Sequence, residues 1–407
     1  MKTKTDIHTL TNDAVQLLKE MIAIPSPSFE EDAVCSHVSR WLSAHGIGHR
    51  RVGNNIIAEH IVDPSIPTLM LCAHIDTVSP SPEYDFDPYT PDYQKAAEII
   101  GKTFGKECTP EEIVAGLGTN DDGASVVAMI AAYRYLCNNA SCSSGIENRA
   151  TPPAAGGGAY DEGVGGVVFN TTATARKAMN LILVLSCEEE RSGRNGMTGL
   201  WPDIASKVDL AIVGEPTGMK AATAERGLLV IDATAHGISG HAARNEGKNA
   251  LYIALEDIQK LRNHVFEKIS PRMGKVNLNV TQINAGNAHN VIPDRCDFVI
   301  DIRPTEQYSN EEILAELQAI CESELKPRNL SNRSSATFED SPLQKAAEAL
   351  GIGTFSSPTT SDWMRISCDA VKMGPGDSSR SHRKNEFVFV EEISKAIATY
   401  IEFINNL

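Results

Sequence analysis

At 407 residues, 42% of them hydrophobic and 22% charged, the chain is long enough for two hydrophobic cores and has the make-up of a globular protein. A formal net charge of −16, with no basic stripe carrying interleaved aromatics, argues against a nucleic-acid partner, because phosphate binding needs clustered lysine and arginine. MKTKTDIHTL lacks a signal-peptide core, no apolar stretch is long enough for a membrane span, and the nine cysteines are scattered without a CxxC, so a cytoplasmic protein with reduced thiols and no membrane partner is expected.

Residues 12–23 predict an amphipathic helix with Val15, Leu18 and Ile22 on one face, ended by Pro25 and Pro27. A second helix is predicted from about Glu30 to His45, stopping at Gly46. Beyond it, apolar runs at 56–58, 68–73, 181–187 and 210–213 read as buried strands, and 124–136 as a buried helix between two of them. That alternation predicts an α/β sheet covered on both faces. Residues 138–176, rich in Ser, Ala, Gly, Thr and Asn, read as a loop insertion. A phosphate cradle there fails, because no GxxxxGK[ST] occurs and no strand leads into the glycines.

From about Lys220 the texture changes. Residues 228–235 and 275–283 alternate as strands do, 297–302 is a third candidate, and helices are predicted at 250–266 and 310–325. Two helices beside a small antiparallel sheet make an α+β layer. The predicted organisation is therefore a first domain of 1–218 and 333–407, interrupted by a second at 219–332. An amphipathic helix at 391–406 closes the chain.

Five polar clusters concentrate the chemistry, and four of them directly follow an apolar run. They are His74-Ile75-Asp76 after the run 68–73, Gly118-Thr119-Asn120-Asp121-Asp122 after a further run at 113–115, Glu188-Glu189-Glu190 after 181–187, Glu215 after 210–214, and the segment Gly374 to His382. In an open α/β sheet the carboxyl ends of the strands share one edge, where ligands bind. Strands delivering His, Asp, Glu and Glu to one edge would make a negative pocket, stable only around a cation, since unpaired buried carboxylates cost several kcal/mol each, roughly. Mixed imidazole and carboxylate donors suit zinc, cobalt or manganese better than calcium or magnesium. Two histidines and three carboxylates exceed the needs of one tetrahedral zinc, which points to two metals with one bridging group and a spare carboxylate as general base. Alone, an HxD is a surface loop, three glutamates are a solvated helix start, and GEP is a turn. Five such clusters in order, each at an element boundary, carry the metal reading. His8, His37, His45, His49, His60 and His264 fall on helix faces or loops and are read as exposed or locally satisfied.

Together these clusters resemble the M20 family of metallopeptidases, above all its acetylornithine deacetylase and succinyl-diaminopimelate desuccinylase branch. The resemblance spans the chain apart from 138–176 and extends to Ile24-Pro25-Ser26-Pro27-Ser28 with Glu30-Glu31. It implies a zinc-peptidase-like α/β catalytic domain with a central mixed sheet flanked by helices. A smaller α+β lid domain interrupts it and joins a homodimer. It also implies that His74, Asp121 and Glu215 hold one metal, that Asp121, Glu190 and His382 hold the other, and that Glu189 is the general base. Asp76 would accept a hydrogen bond from the far nitrogen of His74. Glu188 replaces the Asp that opens the usual Asp-Glu-Glu, and Asp122-Gly123 replaces a Met-Lys or similar pair. The Asp121–Asp122 peptide is expected to be cis.

By the same resemblance, His241 in the lid would reach the neighbouring subunit's site and stabilise the oxyanion, the alternative being a surface-turn histidine. Asn290 and Arg303 are similar to contacts for a substrate carboxylate, although Arg303 could equally pair with Asp301. Thr360 and Ser361 are further candidates for substrate contact, and Arg380 for reading an acidic acyl end. The implied activity is deacylation of N-acetyl- or N-succinyl-L-ornithine in arginine biosynthesis. Competing readings are succinyl-diaminopimelate desuccinylase, a small di- or aminopeptidase, and a non-catalytic metal-binding relative. A two-metal phosphatase lacks the basic groups it would need around the ligands.

Overall fold

The computed structural model describes residues 6–105, 107–140, 179–244 and 246–407. From residue 141 onward, the insertion read at 138–176 lies outside the described residues, while 138–140 end the helix Ala124–Ala140.

The central runs 68–74 and 180–186 are apolar along their whole length, which suits strands that bury both faces. They pair in parallel inside a nine-stranded mixed sheet. Its order runs Arg50–Val52, Asn55–His60, Asn180–Ser186, Thr68–His74, Leu210–Val213, Asp369–Lys372, Ala221–Glu225 and Ser335–Ala336, with Thr354–Ser357 added beside Ala221–Glu225. The pleat sends alternate side chains to opposite cores. Leu69, Leu71 and Ala73 face the helices Ile7–Ile22, Ala124–Ala140 and Val390–Asn405. Met70 and Cys72 face Met197–Ile204 and Trp363. Each large side chain so buried stabilises by about 1.5–3 kcal/mol relative to exposure, enough to outweigh the missing polar alternation.

Local chemistry sets several element ends away from the predicted ones. The first helix spans Ile7–Ile22, starting well before residue 12, because the Asp6 carboxylate accepts the Thr9 N–H at 2.7 Å and caps a polar first turn. A helix at Tyr93–Phe104, absent from the sequence reading, is capped by Asp92 and ends at Gly105 with φ +66°. It buries Ala96, Ala97 and Ile100 against a two-stranded ribbon of Ile113–Ala115 and Phe387–Phe389.

The strand Ala221–Glu225 still belongs to the large sheet, so the chain leaves that sheet after Glu225 rather than at 219. It returns at Ser335, directly opposite Glu225. Between them lies an antiparallel four-stranded sheet ordered Asn277–Ala285, Arg295–Arg303, Leu229–His236, Glu324–Pro327. The helices Ala250–Asn263 and Asn310–Ile320 share its core, with Leu229, Ile231 and Ala233 turned inward. The helix predicted over 310–325 stops at Ile320. There the Asp257 carboxylate accepts the N–H groups of Glu322 and Ser323, and the chain turns into the edge strand Glu324–Pro327. Among the described residues, no helix is long and apolar enough to cross a membrane.

Candidate metal centre

Four neighbouring strands run parallel, in the order Asn180–Ser186, Thr68–His74, Leu210–Val213 and Asp369–Lys372, so their carboxyl ends share one edge. His74 closes one strand, and Glu188–Glu190, Glu215 and the Gly374–His382 loop follow the other three. The four strands are not the four expected. Ile113–Ala115 lies in the separate ribbon, and Asp121 arrives instead on the tight turn Thr119–Gly123 that opens the helix Ala124–Ala140. The last cluster does follow a sheet strand, one hidden in the sequence because Lys372 interrupts its apolar run.

The predicted ligands converge. His74 Nε2 lies 3.1 Å from Asp121 Oδ1, and His382 Nε2 lies 2.9 Å from Glu190 Oε2 and 3.7 Å from Asp121 Oδ2. His74, Asp121 and Glu215 form one group, and Asp121, Glu190 and His382 another. Within each group the donor atoms lie within 4.8 Å of one another. Asp121 belongs to both. The Asp121–Asp122 peptide is cis.

Asp76 meets the far nitrogen of His74 with its main chain as well as its carboxylate. His74 Nδ1 donates to the Asp76 carbonyl at 3.0 Å, while the Asp76 carboxylate stands 3.5 Å away. That carboxylate also accepts the N–H groups of Glu189 at 3.0 Å and Glu190 at 3.1 Å, and the Ser28 hydroxyl at 2.7 Å. It thereby fixes the turn that carries two of the site's acids.

Electrostatics favours a cation here. Burial pushes Glu189 and Glu215 well above the usual carboxylate range, and neighbouring acids add to the shift. Glu190 is raised by burial too, with His382 opposing. Burial would also raise Asp121, but its hydrogen bond to His74, the charges of His74 and His382 and the Ser381 hydroxyl together outweigh that and lower it. The hydrogen bond to Glu190 lifts His382 to about 9. Protons are thus recruited to groups that, ionised, would repel one another. Two divalent cations would replace those protons with the same imidazole and carboxylate donors, so the residues present fit a two-metal centre.

Two residues that build this arrangement carry no signal in the sequence. Glu386 is buried and accepts the N–H groups of Gly118, Asn120 and Asp121 at 3.1, 2.8 and 3.0 Å, while burial raises its carboxyl to about 8. Its partners are backbone groups, which no motif records. Lys372, 1% exposed, pairs with Glu225 at 3.0 Å and lines the cleft beside Glu215. Asn120 braces the Asp121 turn against the His382 loop, donating to Asp377 O and Ser381 Oγ at 3.1 Å and accepting the Asp377 N–H at 2.9 Å.

The expected substrate contacts fare unevenly. Thr360 lines the cleft with Glu189, Glu215 and His382. Ser361 is buried and donates to Glu225 at 2.7 Å. Arg380 is corrected: both its terminal nitrogens bind Glu392, at 2.7 and 3.1 Å, and its guanidinium covers the Phe387 ring, so its fork is not free for an acyl carboxylate. Arg303 pairs with Asp301 at 2.9 and 3.1 Å, the alternative left open by the sequence. His241, on the ribbon of Gly240–His241 and Val291–Ile292, and Asn290, just before that ribbon's second strand, are exposed, and neither is among the residues lining the cleft.

Comparison with known proteins adds findings of three kinds. Residues 223–329 match the M20 peptidase dimerisation domain. The chain is 24% identical to a succinyl-diaminopimelate desuccinylase of Wolbachia pipientis subsp. Culex pipiens, across 97% of this chain and 93% of that protein. It is 28% identical to an acetylornithine deacetylase of Myxococcus xanthus, across 54% of this chain and 62% of that protein. Among solved structures, the Bacillus subtilis YXEP protein, a dinuclear metal-binding peptidase of the M20 family, superimposes with a TM-score of 0.65 at 15% identity, covering 98% of each chain. Aminopeptidase PepT of Bacillus cereus superimposes with a TM-score of 0.68 at 15% identity, covering 97% of this chain and 98% of that one.

Proposed function

We propose that this chain, a hydrolase of the M20 family by its dimerisation domain, its full-length relatives and its fold, uses a two-metal centre to cleave the amide bond of a small Nα-acyl-L-amino acid. The observation that carries the reading is the pair of ligand groups sharing Asp121, with Glu189 beside them in the cleft. In this reading His74, Asp121 and Glu215 hold one ion and Asp121, Glu190 and His382 the other, with zinc the first choice and cobalt or manganese the alternatives. When bound, the ions would polarise the amide carbonyl and acidify the attacking water.

The chain's own residues supply the rest. Among the described residues the Glu189 carboxylate makes no hydrogen bond, and its raised pKa suits a group that takes a proton from water and passes it to the departing nitrogen. The Asp76 carboxylate keeps the Glu189 main chain in place during that transfer. Thr360 offers a hydroxyl to the substrate from the opposite wall. The excursion between Glu225 and Ser335 serves as the lid of a cytoplasmic homodimer. His241 of the partner subunit completes the site and stabilises the oxyanion, Asn290 meets the substrate carboxylate, and Arg303 joins it through the terminal nitrogen that Asp301 leaves unbound.

The substrate expected from the sequence is N-acetyl- or N-succinyl-L-ornithine. Relatives matched over 97% of the chain carry the name succinyl-diaminopimelate desuccinylase, which favours that substrate as a second reading. Amine release should be measured from Nα-acetyl-L-ornithine, Nα-succinyl-L-ornithine, N-succinyl-diaminopimelate and a dipeptide, with added zinc or cobalt and again with chelator. Chelator-sensitive hydrolysis of an acyl amino acid is expected. Hydrolysis of the dipeptide alone would move the chain among the peptidases, and metal binding without any turnover would sink the reading. Glu189→Ala should abolish turnover while both metal ions still bind, and substantial residual activity would remove Glu189 from its role.

A further inference from the structure

The buried cation opposite the ligands belongs to no step described so far. Lys372 ends the strand Asp369–Lys372, held in register with Val213 on one side and Ala222 on the other. From there its side chain lines the cleft. Nζ lies 3.0 Å from Glu225 Oε2, 3.0 Å from the Thr359 carbonyl and 3.4 Å from Thr359 Oγ1. Glu225 is fully buried and also accepts the Ser361 hydroxyl at 2.7 Å. Lysine and glutamate together therefore grip both ends of the segment Thr359-Thr360-Ser361.

That segment is a wall of the cleft, facing Glu189, Glu215 and His382. It has little other means of holding its shape. Ser357 Oγ meets Thr359 at 3.2–3.3 Å, Ser361 caps the short turn Asp362–Arg365, and Pro358 contributes no N–H. A buried ammonium is tolerated only when paired, and the pair gives little net stability over a well-packed apolar substitute. Its positive charge lowers Glu215, yet burial and the neighbouring acids still leave that carboxyl raised. Beyond charge there is geometry: three directed hydrogen bonds tie one loop to two neighbouring strands, two from Lys372 to Thr359 and one from Ser361 to Glu225.

Resting on the proposed hydrolase reading, we propose that Lys372 is a positioning residue, which with Glu225 fixes the 359–361 wall against which the substrate is held opposite the metal ligands. Its removal loosens substrate binding while leaving the ligand set intact. The test is the double variant K372M/E225Q, which deletes the pair without stranding a charge, compared with E225Q alone, which keeps the ammonium on Thr359.

Hydrogen exchange of the metal-loaded proteins is the first readout, because it needs no substrate. In the double variant, protection of the peptide covering 355–362 should fall, while the strands Leu210–Val213 and Asp369–Lys372 keep theirs; in E225Q alone the loss should be smaller. Kinetics on whichever substrate the wild type turns over is the second. KM should rise roughly tenfold with kcat and metal stoichiometry little changed. Loss of protection across both strands, with KM unchanged, would reduce the pair to a fold-stabilising contact and overturn the proposal. Unchanged protection at 355–362 would overturn it as well. A wild-type protein that hydrolyses none of the substrates would sink the proposed function and leave the exchange result to decide the role of Lys372.

Discussion

Asp121 is shared by two histidines that approach it from separate parts of the chain, His74 at 3.1 Å and His382 at 3.7 Å. Without metal, the site's protonation holds the repulsion down, and this gives the protein a signed response to pH. His382 is raised to about 9 by its hydrogen bond to Glu190, and burial raises Glu386 and Asp122 to about 8. Each of these groups binds its proton more tightly folded than unfolded. Their contribution is therefore complete below the unfolded pKa values, about 4 for the acids and about 6.5 for histidine, and it is lost as pH rises through 8 to 9. Asp76 and Asp121 are shifted the other way, and their windows lie below pH 4. The chelated protein's melting temperature should thus fall steadily from about pH 6 to pH 9, with H382Q removing the upper part of the decline. A melting temperature that rises over this range would show that the acids are already compensated.

Among the elements, the loop from Gly374 to His382 depends most on its neighbours. Gly376 has φ +83°, and a Cβ there would stand 2.3 Å from Asn120 Oδ1, the atom that accepts the Asp377 N–H. Gly376→Ala should therefore cost stability by about 1–3 kcal/mol, combining left-handed strain with a displaced brace. Activity should fall further than stability alone explains, because the brace aligns Asp121 with His382. Denaturant unfolding and turnover of the same sample would test this, and a stable, fully active variant would show that the brace is dispensable.

This loop also shows what the sequence could and could not convey. Its His, and the acids at the strand ends, are chemically rare groups at element boundaries, so they were legible. Arg380 was misread because its partner Glu392 lies on the next helix, where nothing in the local pattern marks it. Lys372 and Glu386 were invisible because their partners are a distant carboxylate and three backbone N–H groups. Ile113–Ala115 was read as a strand of the main sheet because a three-residue apolar run does not say which partner it will find.

At the scale of the whole molecule, the two sheets divide the work. The ligands gather at one edge of the large sheet, whereas His241 and Asn290 sit exposed on the excursion that matches the dimerisation domain. If His241 acts across a homodimer, E189A and H241A should each be inactive alone yet recover activity when unfolded together and refolded. One site of each mixed dimer then has both groups, giving about a quarter of wild-type activity for random pairing of C2 dimers. No recovery from a confirmed mixed dimer would place the histidine's action within its own chain, or remove it.

The strand Asp369–Lys372 lies between Leu210–Val213 and Ala221–Glu225, yet it comes from near the end of the chain. During synthesis the gap it fills must wait, flanked by two unpaired strand edges that invite mispairing until the last segment emerges. The smaller sheet, made of neighbours in sequence, can close in the meantime. His382 arrives just behind the late strand, so a nascent chain cannot assemble both ligand groups before its large sheet can close. An incomplete product ending before His382 would hold every member of the His74, Asp121 and Glu215 group and leave the other group one ligand short.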